Sequence, residues 1–129
     1  MTGLYDLQTA LVSALETIYS GVEVKRGSPR IFPDAVEPPV IFLTWNRELA
    51  QDGTLGRMLL SEDFSIAAFF VGEKALLDAI DTLNNSGLTA VTVSTVVHPL
   101  TMTKPERFNS EGFAAKADYG FTMTISILR

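Results

Sequence analysis

The stretch AAKADYGFTMTISILR, Ala114 to Arg129, alternates almost without fault. Phe113, Ala115, Ala117, Tyr119, Phe121, Met123, Ile125 and Ile127 share one parity. Lys116, Asp118, Gly120, Thr122, Thr124 and Ser126 fall on the other, with Lys116 and Asp118 placed to pair at the surface. A period of two is that of a β-strand with one face buried. At about 3.3 Å per residue the strand extends roughly 50 Å. A compact domain of this length has a diameter of roughly 36 Å. The strand is therefore expected to bend, with Gly120 the candidate position, or to project onto a neighbour.

Working back along the chain, Leu59 to Val71 is a second long strand, with Leu60, Phe64, Ile66, Ala68 and Phe70 on one parity. Its far end, Ala67 to Val71, is apolar on both faces, and so is VIFLTW, Val40 to Trp45. Strands of that kind are covered on both sides. Thr89 to Val97 is β-branched almost throughout and reads as one strand, and Val22 to Lys25 as a short one. Leu4, Leu7, Leu11, Ala14, Leu15 and Ile18 mark a helix that Thr2 caps and Ser20-Gly21 stops. Leu76, Leu77, Ile80 and Leu83 mark a second helix, closed by Asn84 to Gly87.

Between these elements lie three polar or proline-containing connections. RGSPRIFPDAVEPP holds four of the six prolines and reads as an ordered loop. NRELAQDGTLGR reads as a hairpin arm or a mobile loop, and HPLTMTKPERFNSEG, His98 to Gly112, as a second connection. The resulting order implies one α+β domain spanning 1–129. Its sheet is expected to be mostly antiparallel, of about four to five strands, with two helices packed on it. Strands this long carry more apolar surface than two short helices cover, which points to a partner subunit; loops over the second face are the competing account.

The chain has 129 residues, 47% hydrophobic and 19% charged, with a net charge of −5. That is enough apolar material for a core, and an acidic balance disfavours autonomous binding to nucleic-acid phosphates. No cysteine is present, so disulfides and thiolate metal sites are excluded. No leader-like segment opens the sequence and no apolar run approaches the roughly 20 residues of a bilayer span. The expectation is a protein without a membrane partner that stays in a reducing cytoplasm unless lysis releases it.

The search for chemistry returns little. His98 is the sole histidine and the sequence places no nucleophile or carboxylate beside it, so a packing or surface role is expected rather than catalysis or zinc binding. Phosphate-cradling glycine patterns and a GxSxG elbow are absent, and Gly53 and Gly56 read as turn residues. Glu62 and Asp63 are adjacent on a strand and point to opposite faces. Asp78 and Asp81 lie on the solvent side of the second helix. Trp45 and Phe69 could line a small pocket in a binding module, although packing or an interface anchor is the commoner role for strand aromatics. The residues give no catalytic group, no metal site and no cofactor, and the chain is expected not to be an enzyme.

Taken together, an opening helix, the loop IFPDAVEPP, the strand VIFLTW, a polar arm, a long strand, a helix of KALLDAIDTL type and an alternating final strand are similar to a known family. This order resembles the tail terminator proteins of tailed bacteriophages, of the phage lambda type, and their relatives in contractile-tailed phages. The resemblance implies a virion protein assembled in the host cytoplasm and located at the end of the tail near the neck. It implies six-membered rings of the protein itself, closed by unlike patches meeting. It also implies contacts with the tail tube protein and the head-tail connector protein, with the sheath protein a further candidate. Another neck or tail-completion protein is the alternative within the same particle. Contacts are expected in the arm and the proline loop, at Arg47, Glu48, Asp52, Arg57, Arg30 and Phe32, with Trp45, Phe69 and Lys116 as further candidates. The connection from His98 to Gly112 departs from the family's pattern.

Overall fold

The computed structural model of the protein describes residues 2–28, 38–46, 61–108 and 119–129. The first helix, α1, runs Leu4–Ile18, and Leu7, Leu11 and Leu15 at four-residue spacing are fully buried along it. Its N-cap position is Gly3, with no side-chain cap, so Thr2 does not play the capping role its residue type suggests. Tyr19 closes the helix by donating its N–H to Leu15 O, and its hydroxyl donates to Ala79 O at 2.6 Å. Burial pushes the Tyr19 hydroxyl well above its usual range, which keeps it protonated as a donor. That bond ties α1 to the second helix, α2, Glu73–Asn84, which buries Leu76, Ala79 and Leu83. Gly72 enters α2 at φ +88, a conformation that favours glycine.

Among the described residues seven strands form one curled, mixed sheet: β1 Glu23–Arg26, β2 Val40–Asn46, β3 Ser61–Phe70, β4 Ala90–Val93, β5 Val96–Met102, β6 Glu106–Phe108 and β7 Tyr119–Leu128. Their order is β1-β2-β3-β7-β5-β4, with β6 also on β7. The frame is the β3–β7 pair, ten residues each, antiparallel from Ser61 opposite Leu128 to Phe70 opposite Tyr119. Ten residues span about 33 Å, within the width of a domain this size. Gly120 holds its ladder place opposite Phe69 and Phe108. The parts of the two long strands expected at Leu59, Leu60 and Ala114 to Asp118 lie outside the described residues.

Both helices lie on one face of the sheet. Ile41 and Leu43 of β2, Phe64, Ile66, Ala68 and Phe70 of β3, and Phe121, Met123, Ile125 and Ile127 of β7 meet the helix leucines there in one core. Phe70 and Phe121 stack with centroids 6.2 Å apart. On the opposite face Val40, Phe42 and Phe69 are buried, and the Phe42 and Phe69 rings meet edge to face at 5.9 Å. Further along, that face turns small and polar. Thr44, Ser65 and Thr124 form one cross-strand row, and Asn46, Asp63 and Ser126 the next.

The helices and the α+β class agree with the sequence; the sheet differs from it. A sheet of four to five mostly antiparallel strands is expected from the sequence, and seven in a mixed sheet are found among the described residues. The parallel pair is β1 with β2, Glu23 opposite Val40. The expected single strand from Thr89 to Val97 is broken at Ser94 and Thr95, where φ is +46 and +73. Positive φ at both central residues is what a tight hairpin turn needs. The chain reverses there, and the second arm continues through His98 and Pro99 to Met102. Most of the expected connection is thus strand: His98 to Met102 belong to β5 and Glu106 to Phe108 to β6. The two are one arm with a bulge. Met102 opposes Ile125 but Glu106 opposes Thr122, so three residues, Thr103 to Pro105, face two on β7. Thr103 bridges the gap, its N–H donating to Thr124 O and its Oγ1 accepting from Thr124 N–H, both at 2.9 Å.

Serine and β-branched threonine are poor residues for positive φ. Replacing Ser94 by Asn and Thr95 by Gly is expected to stabilise the protein by about 1 kcal/mol, read as a Tm rise of several degrees by calorimetry. An unchanged or lowered Tm would mean that the turn has another conformation.

Candidate functional site

Two aromatic side chains singled out from the sequence do not meet. Phe69 opposes Val40 and is fully buried on the face away from the helices. Trp45 opposes Phe64 near the other end of β2, on the helix face, and is 39% exposed. Opposite faces and five residues of separation along β2 leave no shared pocket, so the pocket expected around Trp45 and Phe69 is corrected to two separate settings. Arg30, Phe32, Arg47, Glu48, Asp52, Arg57 and Lys116 lie outside the described residues.

What the fold does assemble is a polar clasp where α1 begins and β7 ends. Glu62 sits on the apolar parity of β3, where a carboxylate needs partners. It has two: Trp45 Nε1–H donates to Oε2 at 3.0 Å and Arg129 donates to Oε1 at 2.7 Å. Arg129 also donates from Nε to Thr2 O at 3.0 Å. Thr2 Oγ1 lies 2.8 Å from His98 Nε2, and His98 Nδ1 lies 3.1 Å from Leu128 O. A carbonyl only accepts, so Nδ1 carries a proton, and in the neutral ring Nε2 accepts from the Thr2 hydroxyl.

The reason for His98 is the proline beside it. Leu100 N–H donates to Thr89 O at 2.9 Å, which fixes the even-numbered N–H groups of β5 toward β4 and the odd-numbered ones toward β7. In the β5–β7 register Pro99 comes opposite Leu128 and should donate to it, but proline has no N–H. The imidazole supplies the missing donor.

An open hollow of about 630 Å³ adjoins the clasp, walled by Thr2 and Asp6, by Val93, Val96 and His98, and by Arg129. His98 is only 4% exposed and both ring nitrogens are engaged. The Arg129 guanidinium is likewise committed within the fold. Asp6 is exposed on the rim. Among the described residues no group of three His, Asp or Glu side chains is gathered as a metal site requires. No helix among them is long and apolar enough to cross a membrane. Glu62 and Asp63 do point to opposite faces, Asp63 accepting from Ser126 Oγ at 2.6 Å on the far side. The chemistry of the clasp is thus the holding of chain segments. Sequence reasoning missed Glu62 as its centre, although a lone carboxylate on an apolar parity was the available signal.

No protein-family model matches the chain, and no curated protein matches it.

Proposed function

We propose that this protein is a structural ring subunit that caps a bacteriophage tail tube, ending its polymerisation and offering a surface for head joining. The role is mechanical rather than enzymatic. The observation that supports it most is the sheet face turned away from the helices. Across β2, β3 and β7 it presents Thr44, Ser65, Ala67, Thr122, Thr124 and Ser126, all half-buried or exposed. Such a surface is built of small side chains, and apart from Asp63 these three strands offer it no charge. Small side chains let another protein surface approach closely, whereas small ligands prefer concave apolar sites. The resemblance of the sequence's element order to that of tail terminators is the ground for choosing this particular assembly, and rings close by unlike patches meeting.

The test is genetic and visual. Phage lysates lacking this protein are expected to contain tails of uncontrolled length or tails without heads, and the purified protein added to tail tubes should appear in electron micrographs as rings with sixfold symmetry at tube ends. Tails of normal length joined to heads in its absence would end this reading.

A further inference from the structure

The two outer strands of the sheet are unlike. On β1, Glu23, Lys25 and Arg26 put charge on three of four residues. Arg26 is fixed over the Tyr5 ring at 4.5 Å and donates to Gln8 and Thr9 of α1. Charge is a common device for blunting a sheet edge. β4 has no such device: Ala90, Val91, Thr92 and Val93 carry neither charge nor proline.

The direction of its free groups follows from one bond. Because Leu100 N–H donates to Thr89 O, residues 89, 91 and 93 exchange ladder bonds with β5. The N–H and C=O groups of Ala90 and Thr92 then point out of the sheet. Among the described residues β4 pairs only with β5. Beside this edge an open groove of about 340 Å³ runs along α1, lined by Ala14, Thr17, Ile18, Leu88 and Ala90. None of those side chains is charged.

We propose that the β4 edge is a docking site for a short extended segment of another polypeptide, which adds to the sheet as a further strand. Its main chain bonds to Ala90 and Thr92, and a small apolar side chain enters the groove beside α1. The pleat sends alternate side chains to opposite faces, so the segment is apolar at every second position and polar between. The uncharged lining selects an uncharged segment, since a charge would be desolvated there without a partner. A second copy fits this edge less well. β4 is about 13 Å long, and two such strands side by side fall far below the roughly 800 Å² per partner of a stable interface. The inference stands apart from the ring reading.

A displayed library of random seven-residue peptides panned on the full protein tests it. Enriched peptides are expected to alternate uncharged apolar and polar residues and to slow amide exchange at Ala90 and Thr92. Thr92→Pro, which removes an outward donor and no bond to β5, is expected to weaken them at least tenfold. Thr17→Glu places a charge at the groove without touching the ladder, and a loss of similar size is expected if the proline variant does not fold. Enrichment of no peptide, protection mapped to another element, or unchanged affinity in Thr17→Glu overturns the proposal. A concentration-dependent dimer that Thr92→Pro dissolves overturns it as well, by assigning the edge to a second copy.

Discussion

Phe121→Asp is expected to leave the chain without a cooperative native state at 25 °C. Phe121 is 1% exposed at the centre of the sheet, on the strand that pairs with β3, β5 and β6. Its ring stacks on Phe70, and its ladder neighbour on β3 is Ala68, also buried. Removing a buried phenylalanine costs about 3–5 kcal/mol through lost burial and the cavity left behind. A carboxylate in its place would be desolvated in the core, and its cross-strand neighbour Arg107 is exposed and already engaged by Glu73 and the Tyr119 ring, so the charge adds several kcal/mol more. Domains of this size hold about 5–15 kcal/mol in all, so the sum approaches or exceeds the stability of the fold. Thr122→Lys is the matched control. It places a charge one residue further on, on the exposed face and opposite Glu106, and is expected to shift stability by about 0.5 kcal/mol or less. Urea titrations followed by circular dichroism read both. A cooperative transition for Phe121→Asp near that of the parent would show that the helix-covered face is not the core.

One-sided burial is what made the helices and long strands legible in the sequence. Alternation fixed the inner faces of β3 and β7, and leucines at helical spacing fixed those of α1 and α2, because one-sided burial writes a period directly into the chain. Register does not. Trp45 and Phe69 lie on neighbouring strands, and the pairing of Val40 with Phe69 decides that they face opposite ways. Nothing within either strand encodes that offset. The β4–β5 hairpin was hidden for a different reason. Ser94-Thr95 bends the chain with positive φ but without the glycine or asparagine that normally marks such a turn, inside a run of β-branched residues. His98-Pro99 looked like a connection because proline usually ends a strand, and only the three-dimensional pairing reveals the imidazole that replaces its donor. The parallel pairing of β1 was equally illegible, since four residues carry too little pattern to choose a direction.

That replacement predicts a coupling between adjacent residues. His98→Ala is expected to destabilise the protein by about 2–4 kcal/mol. The change opens a small cavity in a position only 4% exposed, leaves Leu128 O without the donor it has at 3.1 Å, and releases the Thr2 hydroxyl. Loss of the Thr2 contact also loosens the start of α1, which Arg129 then holds alone through Thr2 O. Pro99→Ala in the parent protein is expected to be mildly destabilising, by about 0.5–1 kcal/mol, because it enlarges the conformational freedom of the unfolded chain while Leu128 O already has a donor. In the His98→Ala background the same change restores a main-chain N–H aimed at Leu128 O and should recover about 1 kcal/mol. The sign of the Pro99→Ala effect therefore reverses between the two backgrounds, a coupling that residues acting through separate contacts do not show. Chemical denaturation of the four proteins in the cycle measures it. Equal effects of Pro99→Ala in both backgrounds would mean that the histidine does not stand in for the proline's missing donor, and that its burial reflects packing alone.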